Sequence, residues 1–218
     1  GACDQAPPAR PPASGATESL RPLFEPDGVV VVGTSGSDNS RPGNIIVKNL
    51  VGLGRDDVSC VNPKGGEIEI GGRPFPLYRS VPEVPGRVDL AILTVPAQAA
   101  AEAVEQCAAK GVRAVLLIAG GFSETTGDRS VEERILATCR ERGIRVVGPN
   151  CLGVVYAGDA GHKGINTFFI PEEKFRVNLS RERNVAILSQ SGAMGIMEIY
   201  NLRNAISPKV IVSYGNQL

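Results

Sequence analysis

The sequence predicts an α/β fold in which helices connect the strands of a parallel sheet. Five short apolar runs lie between residues 29 and 147, several of them rich in Val and Ile and bounded by Gly, Pro or Asn. Such runs are typical of strands that are buried on both faces of a sheet. Helical patterns separate them, and this alternation requires right-handed crossovers between parallel strands. Residues 20–153 are therefore interpreted as one Rossmann-like domain.

The individual elements follow from the apolar spacing and from the residues that end each run. The predicted strands are Val29–Val32, Val58–Val61, Leu90–Val95, Ala114–Ile118 and Arg145–Val147. Helices are predicted over Gly43–Leu53, Ala97–Lys110 and Val131–Arg142. Gly111 and Gly143 follow the last two helices directly, and glycine is the residue that most often ends a helix.

Three further segments flank this domain. Residues 1–19 are rich in Pro, Ala and small polar residues, so we expect a disordered leader or a linker. Residues 154–183 lose the alternating pattern and are expected to form an irregular connection. Residues 184–218 resume it with strand Val185–Leu188, helix Ala193–Arg203 and strand Val210–Val212. Because one β-α-β unit cannot cover its own sheet, we interpret residues 184–218 as the truncated start of a second, flavodoxin-like α/β domain.

The helix of this last segment carries apolar side chains at helical spacing. Ala193, Ile196, Met197 and Tyr200 stand at positions i, i+3, i+4 and i+7. Such a stripe is typical of a helix that packs on a core. We therefore expect these four side chains to face the interior.

The composition argues against several classes of function. The chain of 218 residues has zero net charge, which favours neither a nucleic-acid partner nor an anionic membrane. It has no apolar run of 18 residues and no basic-plus-apolar leader, so we expect a cytoplasmic protein without a membrane span. The five cysteines form no C-x-x-C pair and are expected to be buried, reduced thiols, and no metal site is predicted.

Two loops of the first domain have the chemistry of a phosphate site. Gly33-Thr34-Ser35-Gly36-Ser37 follows the first strand, and its small residues would let the backbone N–H groups approach an anion. The loop is not a strict G-x-G-x-x-G, so a tight turn without a ligand remains an alternative. Lys64 follows the second strand, where an NAD site would carry an acid. A lysine there suits the additional phosphate of CoA or NADP, although an ordinary surface lysine fits the sequence equally well.

Two strand-to-turn segments further along the chain carry a family resemblance. Gly148-Pro149-Asn150-Cys151 places an Asn amide at the end of the fifth strand, where ligands of open α/β sheets collect. Ser189-Gln190-Ser191-Gly192 offers hydroxyls and N–H groups to an anion at a helix N-terminus, with an ordinary Ser N-cap as the alternative. Together they resemble the CoA-binding half of the NDP-forming acyl-CoA synthetases, which include the succinyl-CoA synthetase α subunit. The resemblance runs from about Leu20 to Leu218.

The resemblance implies a coenzyme A site and a separate phosphate site. The V-N-P-K pattern that ends in Lys64 is usual in this family, and Asn150 would lie near the thiol and acyl end of CoA. The residues assigned to CoA are Gly33, Thr34, Ser35, Gly36, Ser37, Lys64, Thr94, Val95, Pro96, Ile118, Ala119, Gly120 and Asn150. The residues assigned to the phosphoryl group of a catalytic histidine are Ser189, Ser191 and Gly192.

His162 is the only histidine of the chain and requires its own interpretation. The segment Gly161-His162-Lys163-Gly164 is similar to the family's Gly-His-x-Gly phosphohistidine segment. That segment follows the strands of the second domain, whereas His162 precedes them. We therefore interpret His162 as non-catalytic and predict no catalytic residue in this chain.

The resemblance also implies a larger enzyme. Its reaction joins a carboxylic acid to CoA at the expense of ATP, through an acyl phosphate and a phosphohistidine. ATP and Mg would bind an ATP-grasp domain or subunit outside these residues, and an oligomer is expected. Two alternatives remain: a non-catalytic CoA-sensing module, attached to an acetyltransferase or a partner subunit, and an NADP-binding oxidoreductase domain. The latter is disfavoured because no catalytic Lys, Tyr or His constellation accompanies the fold.

Overall fold

A seven-stranded sheet lies at the centre of the fold. The structure is a computed structural model that describes residues 15–174, 179–182, 184–202, 205, 207–216 and 218. The strands are, in chain order, β1 Val29–Val32, β2 Val58–Val61, β3 Glu67–Ile70, β4 Arg73–Tyr78, β5 Leu90–Leu93, β6 Ala114–Leu117 and β7 Arg145–Val147. Their order across the sheet is β3-β4-β2-β1-β5-β6-β7, and only β3 runs antiparallel to its neighbour. The predicted α/β fold is confirmed.

The central strand β1 shows why the sheet is buried on both faces. All four of its valines are buried, and successive side chains of a strand point to opposite faces. Val30 and Val32 belong to one core, and Val29 and Val31 belong to the core on the other side of the sheet. The alternation of apolar residues within one strand therefore supplies two hydrophobic layers.

The helices are α1 Gly15–Phe24, α2 Pro42–Gly52, α3 Ala97–Lys110, α4 Ser123–Thr126, α5 Ser130–Arg142 and α6 Gly192–Leu202, with a 3₁₀ turn at Val81–Glu83. Helices α1 and α2 pack on one face of the seven-stranded sheet and α3 and α5 on the other, while α6 packs on a second sheet. Gly111 and Gly143 end α3 and α5 with left-handed φ angles of 83° and 66°. Within the described residues, no helix combines the length and the apolar character needed to cross a membrane.

Helix α1 begins inside the segment that the sequence assigned to a leader. It starts at Gly15, so residues 15–19 are helical and lead into Leu23, which is buried. Residues 1–14 of the predicted leader lie outside the described residues.

A second sheet occupies part of the segment that was expected to be an irregular connection. Its strands are β8 Gly153–Tyr156, β9 Ile165–Asn166, β10 Ala186–Ser189 and β11 Val210–Ser213, in the order β10-β11-β8-β9. The expectation of an irregular connection over 154–183 is wrong where β8 and β9 lie. The apolar run Val154–Tyr156 forms β8, which pairs antiparallel with β11 and thereby connects the segment to residues 210–213.

The apolar stripe predicted to face the core on α6 is largely exposed. Met194, Met197 and Tyr200 are 60%, 60% and 51% exposed, and Ala193 is exposed as well. The side of α6 that lies against β10 carries Gly195, where an added Cβ would lie 3.1 Å from the Cβ of Ser189. The prediction is confirmed for Ile196, which is half-buried and packs against the cluster that contains Leu152 and Ile211. It is wrong for Ala193, Met197 and Tyr200, because the spacing identifies an apolar stripe but does not identify which neighbour covers it.

Candidate functional site

The loops predicted to bind a ligand lie at one edge of the first sheet. Strands β4, β2, β1, β5, β6 and β7 run parallel, so the residues that follow them meet at their carboxyl ends. Strand β1 lies between β2 and β5: the chain runs outward from β1 through β2 to β4 and β3 on one side, and it then crosses back to add β5, β6 and β7 on the other side. A crevice opens where the strand order reverses in this way, and ligands of open α/β sheets bind there.

Three glycines shape the loop after β1. Gly33 has a φ of +102°, and a Cβ there would lie 2.6 Å from Thr94 Oγ1. Gly43 lets α2 approach the loop, because a Cβ there would lie 3.1 Å from the Gly33 carbonyl oxygen. Gly36 is exposed, and a Cβ there would meet only the end of the Leu77 side chain, at 3.2 Å. The fold therefore requires Gly33 and Gly43, while Gly36 keeps the rim of the crevice open.

Asn44 holds the same loop from beneath, and the sequence analysis did not identify it. Its buried side chain accepts the Ser35 N–H through Oδ1 at 2.7 Å and donates to the Ser35 carbonyl oxygen at 3.0 Å. Helix α2 begins at Pro42, and its N-cap residue Arg41 makes no side-chain cap. The first N–H groups of a helix point out of its N-terminus, so α2 presents donors and a positive dipole end toward this loop.

Lys64 stands on the turn after β2. Asn62, another residue that the sequence analysis did not identify, accepts the Lys64 N–H at 2.9 Å and donates to the Thr34 carbonyl oxygen at 2.8 Å. The two loops are thus tied together by one amide. Lys64 is exposed, and its ammonium group makes no ion pair with the described residues.

The loops after β5 and β6 complete the rim of the crevice. Thr94 donates through its hydroxyl to the Val32 carbonyl oxygen at 3.0 Å, which fixes the end of β5 against β1. Ile118 is buried, whereas Gly120 and Gly121 are exposed. The Gly121 N–H donates to Oε1 of Glu124 on α4 at 2.7 Å, so a side-chain carboxylate already accepts from one N–H group of this loop.

Asn150 lies where the two sheets meet. It has a left-handed φ of 55°, and its N–H donates to the Ala119 carbonyl oxygen at 3.0 Å. Gly215, on the loop after β11, packs so closely that a Cβ there would lie 2.3 Å from the Asn150 carbonyl oxygen. The Asn216 N–H donates to the Pro149 carbonyl oxygen at 2.9 Å. The carboxyl end of β11 is thus locked to the loop after β7.

A cavity of about 510 Å³ opens at this junction. Both predicted groups of residues contribute to its wall, namely Ile118 and Asn150 from the first sheet and Ser191 and Gly192 from the second. The other lining residues are Cys151, Leu152, Phe169, Ile170, Gln190, Ala193, Ile196 and Asn216. Asn216 was not predicted. It follows the carboxyl end of a strand, as Asn150 does, so the rule that ligands bind at the carboxyl ends of strands would have identified it.

The turn before α6 combines a cap with open donors. Ser191 caps the helix, because its Oγ accepts the Met194 N–H at 3.3 Å, and the Ser189 hydroxyl donates to the Ser191 carbonyl oxygen at 2.8 Å. The N-cap alternative is therefore realised at Ser191. Capping and anion binding are compatible here, because one side chain satisfies only one of the first N–H groups of the helix.

Cys151 is the thiol closest in sequence to the junction, and it is inert by its surroundings. Its Sγ lies 3.3 Å from the Leu117 carbonyl oxygen, and burial raises the pKa of the thiol to about 12. Cys60, Cys107 and Cys139 are also buried and free, with pKa values that burial raises to about 12, 12 and 11. These four thiols match the predicted reduced state, and Cys3 lies outside the described residues.

His162 lies away from the cavity. Its Nδ1 lies 3.0 Å from Asp159 Oδ1, and its Nε2 lies 3.8 Å from Glu25 Oε2. Glu25 precedes β1 and so lies at the amino edge of the first sheet. The hydrogen bonds from His162 and from the Gly161 N–H lower the pKa of Asp159 to about 2. His162 therefore lies near the amino edge of the first sheet, whereas Ser191 lines the cavity near its carboxyl edge with Ile118 and Asn150.

A family model described as a CoA binding domain matches residues 28–157. The chain belongs to this CoA binding domain family. Over 205 residues it is 39% identical to the α subunit of ADP-forming acetate–CoA ligase I of Pyrococcus furiosus, a match that covers 91% of this chain and 41% of that subunit. It is 38% identical over 198 residues to ADP-forming acetate–CoA ligase I of Archaeoglobus fulgidus, covering 89% of this chain and 26% of that protein.

A solved relative has the same fold as this CoA binding domain protein. It is the acetyl-coenzyme A synthetase 1 of Ca. Korarchaeum cryptofilum, in complex with phosphate and ADP, with a TM-score of 0.75 and 34% identity. The match covers 90% of this chain and 39% of that chain. The predicted resemblance to acyl-CoA synthetases is thereby confirmed, and the chain spans about two-fifths of the length of these two relatives' chains from Pyrococcus and Korarchaeum.

Proposed function

We propose that this chain is the CoA-binding segment of an NDP-forming acid–CoA ligase, which makes acyl-CoA from a carboxylic acid, CoA and ATP. The relatives named acetate–CoA ligase support this reaction class. In this proposal residues 20–153 form the CoA-binding domain, and residues 184–218 begin a second domain.

The observation that carries the proposal is the shared cavity. Asn150 follows β7 of the first sheet, and Ser191 and Gly192 open α6 of the second, yet all three line one space of about 510 Å³. A ligase of this kind must bring the CoA thiol to an activated acyl phosphate. This cavity lies between the carboxyl edge of the first sheet, where CoA would bind, and the N-terminus of α6, which favours a phosphate. It could therefore hold the thiol end of CoA and the acyl phosphate side by side.

The crevice also fits the charged half of CoA. The uncapped start of α2 and the small-residue loop at Gly33–Ser37 provide N–H donors for the pyrophosphate, and Lys64 provides a cation for the 3′-phosphate. The loops at Thr94–Pro96 and Ile118–Gly120 would line the pantetheine arm. When bound, CoA supplies the thiol that becomes acylated, and Asn150 would orient that end through its amide.

The chain's own phosphate residues position a group and do not perform the chemistry. A helix N-terminus contributes about 0.3–1 kcal/mol when exposed and more when it is partly buried. Ser189, Ser191 and Gly192 would therefore steady a phosphoryl group that is carried by a histidine outside this chain. ATP and Mg would bind a separate ATP-grasp domain or subunit, and we propose that the complete enzyme is oligomeric.

The exposed side of α6 supports a larger second domain. Leu188 on β10 is 67% exposed, and Met194, Met197 and Tyr200 on α6 are 60%, 60% and 51% exposed. Large apolar side chains exposed on a strand and on the helix that packs against it are typical of surface that another element covers. We propose that further elements of the parent enzyme cover it.

The assignment of CoA is tested by comparing CoA with dephospho-CoA in titration calorimetry. If Lys64 binds the 3′-phosphate, CoA should bind more tightly by about 1.5–3 kcal/mol, provided that the contact is partly shielded from solvent. Lys64→Gln should remove this preference, and Lys48→Gln, which removes an exposed lysine on α2, should retain it. Equal affinities in the wild-type chain, or a preference for NADPH, would contradict the proposal.

A further inference from the structure

Glu124 and Asn150 converge on the loop after β6, and the proposed function gives Glu124 no role. Both residues are exposed, and they reach Gly120 from two different elements, the short helix α4 and the loop after β7. A Cβ on Gly120 would lie 3.2 Å from Glu124 Oε1 and 3.4 Å from Asn150 Oδ1. The two oxygens therefore border one gap, which stays open because residue 120 is a glycine.

The residues that precede Glu124 are held in place by two buried groups. Phe122 is buried in the core, and the Ser123 hydroxyl donates to Glu132 Oε1 at 2.8 Å. Glu132 is buried as well, and its Oε2 has no hydrogen-bond partner among the described residues, so Ser123 is the partner that its carboxylate has there. These two anchors fix the start of α4 and limit where the Glu124 carboxylate can lie.

Both side chains at the gap retain unused hydrogen-bonding capacity. Glu124 Oε1 accepts the Gly121 N–H at 2.7 Å, and a carboxylate can accept about four hydrogen bonds. The side-chain amide of Asn150 makes no hydrogen bond with the described part of the chain, and Asn150 lines the cavity at the junction of the two sheets. A carboxylate and an amide that share one gap beside a cavity suit a ligand that carries its own amide group.

The pantetheine arm of CoA has this chemistry. Between the pyrophosphate and the thiol it carries two amide groups, and each of them offers one N–H donor and one carbonyl acceptor. In the proposed function, the loop at Ile118–Gly120 lines this arm and Asn150 orients its thiol end. Glu124 borders the same loop, so its carboxylate can accept an N–H of the arm, and the Asn150 amide can donate to a carbonyl oxygen.

We propose that Glu124 is a further CoA-binding residue, which accepts an amide N–H of the pantetheine arm at the gap that it shares with Asn150. This inference rests on the proposed function and extends it from the charged half of CoA to the neutral half. A carboxylate at this position attracts an N–H donor and repels an anionic group. Glu124 would therefore set how far the arm enters the crevice, and hence where the thiol lies.

The variant Glu124→Gln separates a ligand contact from a structural one. The glutamine Oε1 can still accept the Gly121 N–H, but its Nε2 is a donor and cannot accept from CoA. Titration calorimetry on the 218-residue chain compares CoA with adenosine 3′,5′-bisphosphate, which has no pantetheine arm. We expect Glu124→Gln to bind CoA about tenfold more weakly, as the loss of one hydrogen bond to a charged group implies. Its affinity for the bisphosphate and its free energy of unfolding in urea should equal those of the wild-type chain.

Two further variants complete the experiment. Glu133→Gln changes an exposed carboxylate on α5 and, as the matched control, should leave both affinities unchanged. Gly120→Ala should weaken CoA binding without unfolding the chain, because its methyl group fills the gap at a residue that has no left-handed φ.

The contrary outcomes are distinct from one another. If Glu124→Gln binds both ligands more tightly, the carboxylate acts only through its charge, and if it binds both more weakly and is less stable, the residue only supports the loop. Either result overturns this inference, as does an unchanged affinity for CoA. A wild-type chain that binds neither ligand would overturn the proposed function and this inference together.

Discussion

Two glycines of the loop after β1 should respond to substitution in opposite ways. Gly36→Val places a branched side chain at the exposed rim of the crevice, and Gly33→Ala adds one methyl group beneath it. The structure predicts that the first change weakens CoA binding and spares the fold, whereas the second destabilises the fold.

The magnitudes follow from the local geometry. Gly36 does not have a left-handed φ, and its added Cβ meets only Leu77 Cδ1 at 3.2 Å, the movable end of a side chain. The free energy of unfolding of Gly36→Val should therefore change by less than about 1 kcal/mol. Gly33 combines a φ of +102° with a contact of 2.6 Å to Thr94 Oγ1. Backbone strain of about 1–3 kcal/mol and overpacking of about 1–3 kcal/mol both apply there.

Urea unfolding and CoA calorimetry on the same samples check this prediction. Gly36→Val should weaken CoA binding at least tenfold, which corresponds to about 1.4 kcal/mol, because the valine occupies space that the pyrophosphate needs. Gly36→Ala is the matched control and should give an intermediate affinity. If Gly36→Val lowers stability as much as Gly33→Ala does, the glycine serves the turn alone, and the phosphate assignment of this loop loses its main support.

Three further predictions concern the thiols, the junction and the histidine. Burial raises the pKa of the Cys60 thiol from 9.0 to about 12. The contribution of this thiol to the free energy of unfolding is therefore complete below pH 9 and is lost as the pH rises toward 12. At pH 8, Ellman's reagent should modify Cys60 only after the protein unfolds. Gly215→Ala should lower the melting temperature, since φ is +62° and the added Cβ would lie 2.3 Å from the Asn150 carbonyl oxygen; an unchanged value would contradict that packing. When the 218-residue chain is treated with ATP and Mg, mass spectrometry should find no phosphate on His162, and no acyl-CoA should form. His162→Ala should bind CoA as tightly as the wild-type chain. A phosphate on His162 would overturn the interpretation of this residue as non-catalytic.

The parts of the fold that the sequence predicted well are those specified locally. Strands β1, β2 and β7 and helix α3 have the predicted bounds, because their apolar spacing and the residues that end them are contiguous in the chain. The five loops at the carboxyl edge follow from the same information, since the strands that precede them are parallel. This rule also led to Asn150 and Ser191, although it could not show that the two line one cavity.

The features that were missed depend on pairing between distant segments. The hairpin of β3 and β4 carries Pro74 and Pro76, and proline is tolerated there because the hairpin stands at the edge of the sheet. Strand β8 was assigned to a connection because its partner, β11, begins more than fifty residues later. Asn44 and Asn62 support the site through side chain to backbone hydrogen bonds, and no spacing pattern in the sequence reports such contacts.

The junction explains why the site could not be complete in either sheet alone. The first sheet provides the crevice and Asn150, but the helix end that lines the cavity belongs to α6 of the second sheet. Strand β8 begins three residues after Asn150 and pairs with β11. The loop after β7 and the loop after β11 are therefore joined by this strand pairing and by the hydrogen bond from the Asn216 N–H to the Pro149 carbonyl oxygen. The backbone of Gly215 also packs directly against the backbone of Asn150, so closely that a Cβ on Gly215 would lie 2.3 Å from the Asn150 carbonyl oxygen. Because backbone contacts of this kind cannot be adjusted by side-chain rotation, the position of Ser191 relative to Asn150 is set by the pairing of β8 with β11.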